Sequence, residues 1–181
     1  RWVDWLGGLV QGDLGTSYSS RQPVWDAIRE RLPVTLELAV LASLVAIVVA
    51  VPLAVMSARR RGTRVDRGVV AATSGIISMP NFVIGLLLLY MFAFEVRIFP
   101  TVGWTALSEG PADNLKAAAL PVISIALAEI VVLYRVLRAD LIQTLQQDFV
   151  MLARAKGASD RRIMWKHALR PSSLSIMTLA G

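Results

Sequence analysis

Few side chains in this sequence are equipped for chemistry. There is no cysteine, which excludes a thiol nucleophile, a thiolate metal site and a disulfide framework. His167 is the single histidine and has no partner for a His-rich metal cluster. With no Ser or Cys nucleophile beside it, it reads as a packing or capping residue. No Gly-x-x-x-x-Gly-Lys-Ser/Thr loop occurs, so the chain lacks that cradle for ATP phosphates. What remains is an acid and a base inside apolar runs, Glu129 and Arg135, and the basic stretch Ala153-Arg154-Ala155-Lys156-Gly157. Charged groups at membrane depth are costly and face a cavity or a partner. Arg135 lies near the end of its run, where snorkelling to the interface is the favoured reading. Glu129 lies deeper. It suits a contact with a charged solute terminus, a pair with a base on another helix, or a carboxyl protonated by burial; the structural pair is favoured.

The elements that hold these residues are long and greasy. The composition is 55% hydrophobic and the mean hydropathy is +0.58, against about 45–50% apolar in soluble domains. Thr35 to about Ala58 and Gly68 to about Phe94 each exceed the roughly 20 apolar residues a spanning helix needs. Leu120 to about Arg138 qualifies with Glu129 and Arg135 as polar exceptions, and a further run starts at about Ser172. A buried soluble helix of this length carries charge on some face, and backbone amides in a bilayer need partners within their own segment. The spacing therefore predicts an all-α, polytopic membrane protein.

The net charge of +6 and the pI of about 10.5 are placed, not spread. Arg59, Arg60, Arg61, Arg64 and Arg67 face one acid, Asp66, between the first two spans. Arg138, Arg154, Lys156, Arg161, Arg162, Lys166 and Arg170 follow the third. Short Lys/Arg-rich loops stay cytoplasmic. Both basic stretches are thus expected inside, and Glu95–Ala119 and Arg1–Val34 outside. The Arg excess is an orientation signal, which removes the main support for nucleic-acid binding. Trp2, Trp5, Trp25 and Trp104 fall in the outward segments, as interfacial Trp should. Both ends read as cut, with a preceding helix missing.

Locally, Trp2 onward reads as a short interfacial helix broken at Gly12–Gly15. Pro23–Arg31 reads as another, stopped by Pro33, with Thr35 capping the first span. Pro52 and Pro80 should bend their helices. Ser74, Gly75, Ser78 and Gly85 offer small surfaces for close helix contact. Beyond the third span, a helix from Leu141 is expected to run through Ala155. Gly157 suits a left-handed C-cap, Ser159 or Asp160 an N-cap for a helix over Arg161–Leu169, and Pro171 the start of the next membrane segment. The product is a helix–turn–helix elbow beyond the membrane. A basic juxtamembrane elbow that merely meets anionic lipid accounts for the charges, but less well for the Ala-Arg-Ala-Lys-Gly turn.

This elbow resembles the cytoplasmic loop of binding-protein-dependent ABC importer permeases, in particular the first permease of dipeptide and oligopeptide importers. The matching residues are Asp148-Phe149-Val150, Ala153-Arg154-Ala155-Lys156-Gly157 and His167-Ala168-Leu169-Arg170. Gly12-Asp13-Leu14-Gly15 with Ser17, Pro23-Val24, the Arg31, Pro33 and Thr35 set, Ser78-Met79-Pro80 with Phe82, Leu120-Pro121, and Arg135 with Arg138 extend the likeness along the chain. Departures are Pro171 where the family often has Asn, Met151-Leu152-Ala153 where the general loop has Glu-Ala-Ala, and Glu129.

The resemblance implies part of a type I ABC importer transmembrane domain over residues 35–181, after an extracytoplasmic segment over 1–34, with one helix preceding and two following. The elbow, 140–171, would be the coupling region, docking in a groove of an ATPase subunit through Asp148, Phe149, Ala153, Arg154, Ala155, Lys156, Gly157 and Ala158. Ser78, Pro80, Phe82, Glu129 and Arg135 are the pathway candidates. Implied partners are a second homologous permease, two ATP-binding subunits, an extracytoplasmic solute-binding protein and membrane lipid. The chain itself would hold no cofactor and be no enzyme, since ATP is bound and hydrolysed by the partners. Same-family importers of nickel, glutathione or oligosaccharides share these features. A channel or scaffold without an ATPase is the rival of another class. An intramembrane enzyme is the weakest, lacking His or Cys in the spans.

Overall fold

A computed structural model describes residues 2–172, apart from the side chains of Val3 and Asp4. The further span expected from Ser172 onward lies almost wholly outside the described residues. The chain divides into two compact units, Arg1–Val40 and Leu41–Gly181, and among the described residues its regular elements are all helices, with one isolated bridge between Thr16 and Pro23.

In the first unit, α1 (Trp2–Val10) ends at Gly12, whose φ of +83° is open to glycine. The Asp13 carboxylate accepts from the Gly15 amide at 2.8 Å, and Val24 N–H donates to the Gly15 carbonyl at 3.0 Å. This closes the turn that starts α2 (Val24–Arg59). Pro33 does not stop the helix, contrary to the sequence expectation, and Thr35 is no cap. Arg29 and Pro33 are both exposed, so the Arg29 carbonyl that loses its proline partner stays at the surface, where solvation limits the cost. The Thr35 hydroxyl instead donates back to the Arg31 carbonyl at 3.0 Å. The expected boundary at 34/35 therefore falls inside one 36-residue helix.

In the second unit, Ala42, Ala46, Ala50, Ala54 and Ala58 of α2 recur every four residues and are all buried. That stripe of small side chains lets neighbouring backbone approach closely. α2 runs on through Pro52. A tight loop then leads to α3 (Arg64–Ile77), capped by Thr63, and α4 (Asn81–Leu89) continues as a π-helical turn, Tyr90–Glu95. α3 and the α4 segment are bent by 96° at the Ser78–Pro80 break. Pro80 has extended backbone and serves as the N-cap of α4. The bend expected within one span is thus a full interruption, because proline withholds its N–H and disfavours α-conformation in Met79.

The third long helix, α5 (Pro111–Thr144), starts well before Leu120. Its entry is fixed by fully buried Asn114, whose amide donates to the Thr105 carbonyl at 2.9 Å. α4 packs on α5 where Gly85 meets Ser124: a Cβ at Gly85 would lie 3.2 Å from Ser124 Oγ. α2 and α5 are each long and apolar enough to cross a membrane, and the α3–α4 pair makes a third if counted as one broken span. The outer faces are studded with exposed Leu, Val, Ile and Phe, as lipid contact requires.

Candidate functional site: the elbow and its root

α5 does not continue through Ala155, as the sequence suggested. It ends at Thr144, and after Leu145–Gln147 the chain begins α6 (Asp148–Ala155) with Gln147 extended as N-cap. The interruption redirects the chain so that Val150 becomes buried while Phe149, Met151 and Leu152 stay exposed. Lys156 ends α6, and Gly157 follows with φ +80°. Around it the Ala158 N–H donates to the Ala153 carbonyl at 3.1 Å and the Gly157 N–H to the Arg154 carbonyl at 3.0 Å. This is a left-handed helix stop. No atom lies within 4 Å of a Cβ built on Gly157, so the glycine is demanded by backbone conformation and not by space.

Ser159 caps the second arm, its hydroxyl accepting from the Arg162 N–H at 3.4 Å. That arm is α7 (Asp160–Arg162) followed by a π-helical turn, Ile163–Ala168, and helical backbone continues through Pro171 to Ser172. Pro171 therefore sits inside a helix instead of opening one. The wider π turn just before it relieves the crowding a proline ring causes in a regular helix. Ile163, Met164 and Ala168 are buried and hold the second arm against its surroundings. Asp148, Arg154, Ala155, Lys156 and Gly157 are exposed, while Ala153 and Ala158 are half-buried. The turn brings Arg154 to Asp160 at 3.7 Å, an exposed pair of small energetic weight. The elbow is thus a hydrogen-bonded, solvent-facing turn carrying apolar and basic side chains.

At its root lies a cluster that the sequence reading did not assemble. Arg138 of α5 donates to Asp66 of α3 through Nε to Oδ1 at 2.9 Å and Nη2 to Oδ2 at 2.8 Å. The Ser57 hydroxyl of α2 donates to Asp66 Oδ1. It receives the Arg138 Nε–H at 3.0 Å and the Tyr134 hydroxyl lies 2.8 Å from it. Since the Ser57 proton is committed to Asp66, Tyr134 is the donor in that last contact. Gly62 N–H fills the remaining side of Asp66 Oδ2 at 2.8 Å. Ser57, Asp66 and Tyr134 are buried. A fork-to-fork charge pair with every acceptor filled is the strong form of such contacts.

The pathway candidates do not form one site. Ser78 closes α3 by donating to the Ser74 carbonyl at 2.8 Å, and Arg135 Nη2 donates to the Ser74 hydroxyl at 3.2 Å. These two are thereby linked next to Pro80. Arg135 accordingly bonds α3 and does not rest on snorkelling alone. Phe82 is exposed. Glu129 stands apart, accepting from the Ser43 hydroxyl of α2 at 3.3 Å. Among the described residues it pairs with no base, and its contact is with that one hydroxyl. Among the described residues no group of three or more His, Asp or Glu side chains is placed to hold a metal ion.

Residues 50–181 match the family described as binding-protein-dependent transport system inner membrane component. The whole chain is 34% identical over 184 residues to the oligopeptide transport system permease protein AppB of Bacillus subtilis, covering 58% of that protein. It is 35% identical over 179 residues to the dipeptide transport system permease protein DppB of Lactococcus lactis, with 98% of this chain and 56% of that one aligned. It is 33% identical over 183 residues to the oligopeptide transport system permease protein OppB of Salmonella typhimurium, again with 100% and 58% coverage. The chain thus spans a little over half the length of these curated relatives.

Proposed function

The chain belongs to the family of binding-protein-dependent transport system inner membrane components, and on that premise we propose that it is part of the membrane-spanning permease subunit of an ATP-driven importer that moves di- and oligopeptides across the cytoplasmic membrane. The observation that carries the reading is the elbow: a stiff turn around Gly157 that presents Phe149, Met151 and Leu152 beside Arg154 and Lys156. Neighbouring exposed apolar side chains rimmed by charged ones are the pattern of an interaction surface. The partner proposed is an ATP-binding subunit, one of two, and the pore is completed by a second homologous permease. An extracytoplasmic solute-binding protein delivers the solute.

The work of the chain is mechanical. Closure of the ATPase pair would move the elbow, and the helices attached to it would expose the pathway alternately to either side. No reaction is assigned to its own side chains. Peptide is preferred as the solute because three similar proteins carry dipeptide or oligopeptide transport in their names. The test is reconstitution of the full-length protein with its partner subunits in liposomes. ATP-dependent uptake of a labelled peptide, competed by unlabelled di- and oligopeptides but not by nickel, glutathione or oligosaccharide, is the expected result. Uptake without ATP, or no ATP-binding subunit retained on purification, would leave the channel or scaffold reading standing.

A further inference from the structure

We infer that Asp66 and Arg138 are positioning residues for energy coupling: the ion pair between half-buried Arg138 and buried Asp66 locks the root of the elbow to α2 and α3 so that elbow motion is delivered to the membrane helices and not absorbed at the joint. The inference rests on the proposed importer function and deepens it.

The placement carries the argument. Arg138 lies in the last two turns of α5, which ends at Thr144, and the elbow helix α6 starts at Asp148. Force that the elbow passes back through α6 therefore enters α5 close to Arg138. Asp66 is in the first turn of α3, and Ser57 is in the last turn of α2, which ends at Arg59. Three helix ends and the loop amide of Gly62 thus meet on one carboxylate. The five arginines around the loop, Arg59, Arg60, Arg61, Arg64 and Arg67, are exposed, and the one that closes on Asp66 comes from 72 positions away. Orientation in a membrane needs only the loop charges; it does not need a bidentate fork between α3 and α5.

Directionality makes the pair stiff. An apolar contact between helices tolerates sliding, whereas a displacement of α5 against α3 would leave a buried carboxylate without its cation. Arg is suited to the task because two parallel N–H donors fix angle as well as distance, which Lys cannot do.

The test uses the full-length protein reconstituted with its partner subunits, reading solute moved per ATP hydrolysed. Arg138→Lys keeps the charge and loses the fork. Asp66→Asn with Arg138→Met removes both charges, so no unpaired ion remains to block folding. Both are expected to retain the ATP-binding subunits and the ATPase rate while solute per ATP falls several-fold. Wild-type stoichiometry in the assembled double variant would overturn the inference, as would loss of assembly in both variants with normal stoichiometry in whatever complex remains. Absence of ATP-dependent uptake by the unaltered protein would instead sink the functional reading beneath it.

Discussion

The amide of Ala158 donates to the carbonyl of Ala153 at 3.1 Å, closing α6 over Gly157 and turning the elbow through a left-handed residue. That conformation costs a side-chain-bearing residue about 1–2 kcal/mol. Gly157→Ala should therefore loosen the turn by roughly that amount, and Asn, which tolerates the same conformation, by less. Gly157→Leu is expected to leave assembly intact while uptake per ATP falls. Parallel measurements of ATPase and uptake in liposomes check it, and normal transport by Gly157→Leu would contradict the coupling role.

Phe149 and Leu152 are 47% and 57% exposed on a rigid helix. If they are anchors for an ATP-binding subunit, truncation of either to Ala should weaken retention of that subunit by about 1–2 kcal/mol, or roughly tenfold in affinity. Val150 is the control, being buried within the elbow: its truncation should lower stability first. Titration of the purified ATP-binding subunit onto the reconstituted permease measures the first, and thermal unfolding of the detergent-solubilised protein the second.

Glu129 accepts from Ser43 at 3.3 Å and sits in a helix long and apolar enough to cross the membrane. An ionisable side chain in such a place is a candidate for meeting a solute or a moving helix. Glu129→Gln should slow uptake several-fold, and Ser43→Ala should slow it less. Initial uptake rates of a peptide with a free amino terminus and of its acetylated form tell whether the ammonium is the group read. Wild-type uptake by Glu129→Gln removes the residue from the pathway.

Close packing at Gly85 gives a prediction independent of transport. A methyl group there would stand 3.2 Å from Ser124 Oγ, a distance a small shift can relieve, so Gly85→Ala should be tolerated. Gly85→Leu overpacks the α4–α5 contact and should cost about 1–3 kcal/mol. Thermal unfolding of the detergent-solubilised protein separates the two.

Much of this was legible in the sequence because one residue sufficed to specify it. Uncharged runs made helices, Gly157 made the left-handed stop, and Ser159 made the cap. Pro80 was legible as a bend but not as a 96° interruption, since a proline says where a helix is weakened and only the surroundings say how far it opens. Pro33 and Pro171 misled for the same reason: an exposed carbonyl in one case and a preceding π turn in the other let the helix continue. The Asp66–Arg138 pair was invisible because its members lie 72 positions apart and Asp66 sits among arginines that seemed to account for it. The signal, in hindsight, is the lone acid in a loop otherwise selected for positive charge, beside Ser57 at a helix end.

The central claim is that the elbow faces the cytosol and is covered there by an ATP-binding subunit. Lys156→Cys in the full-length protein, with any other cysteine replaced, tests it most directly when challenged with a membrane-impermeant thiol reagent. The account predicts no reaction in intact cells, ready reaction in inverted vesicles stripped of ATP-binding subunits, and protection when those subunits are restored. Modification of that cysteine from outside intact cells would contradict it.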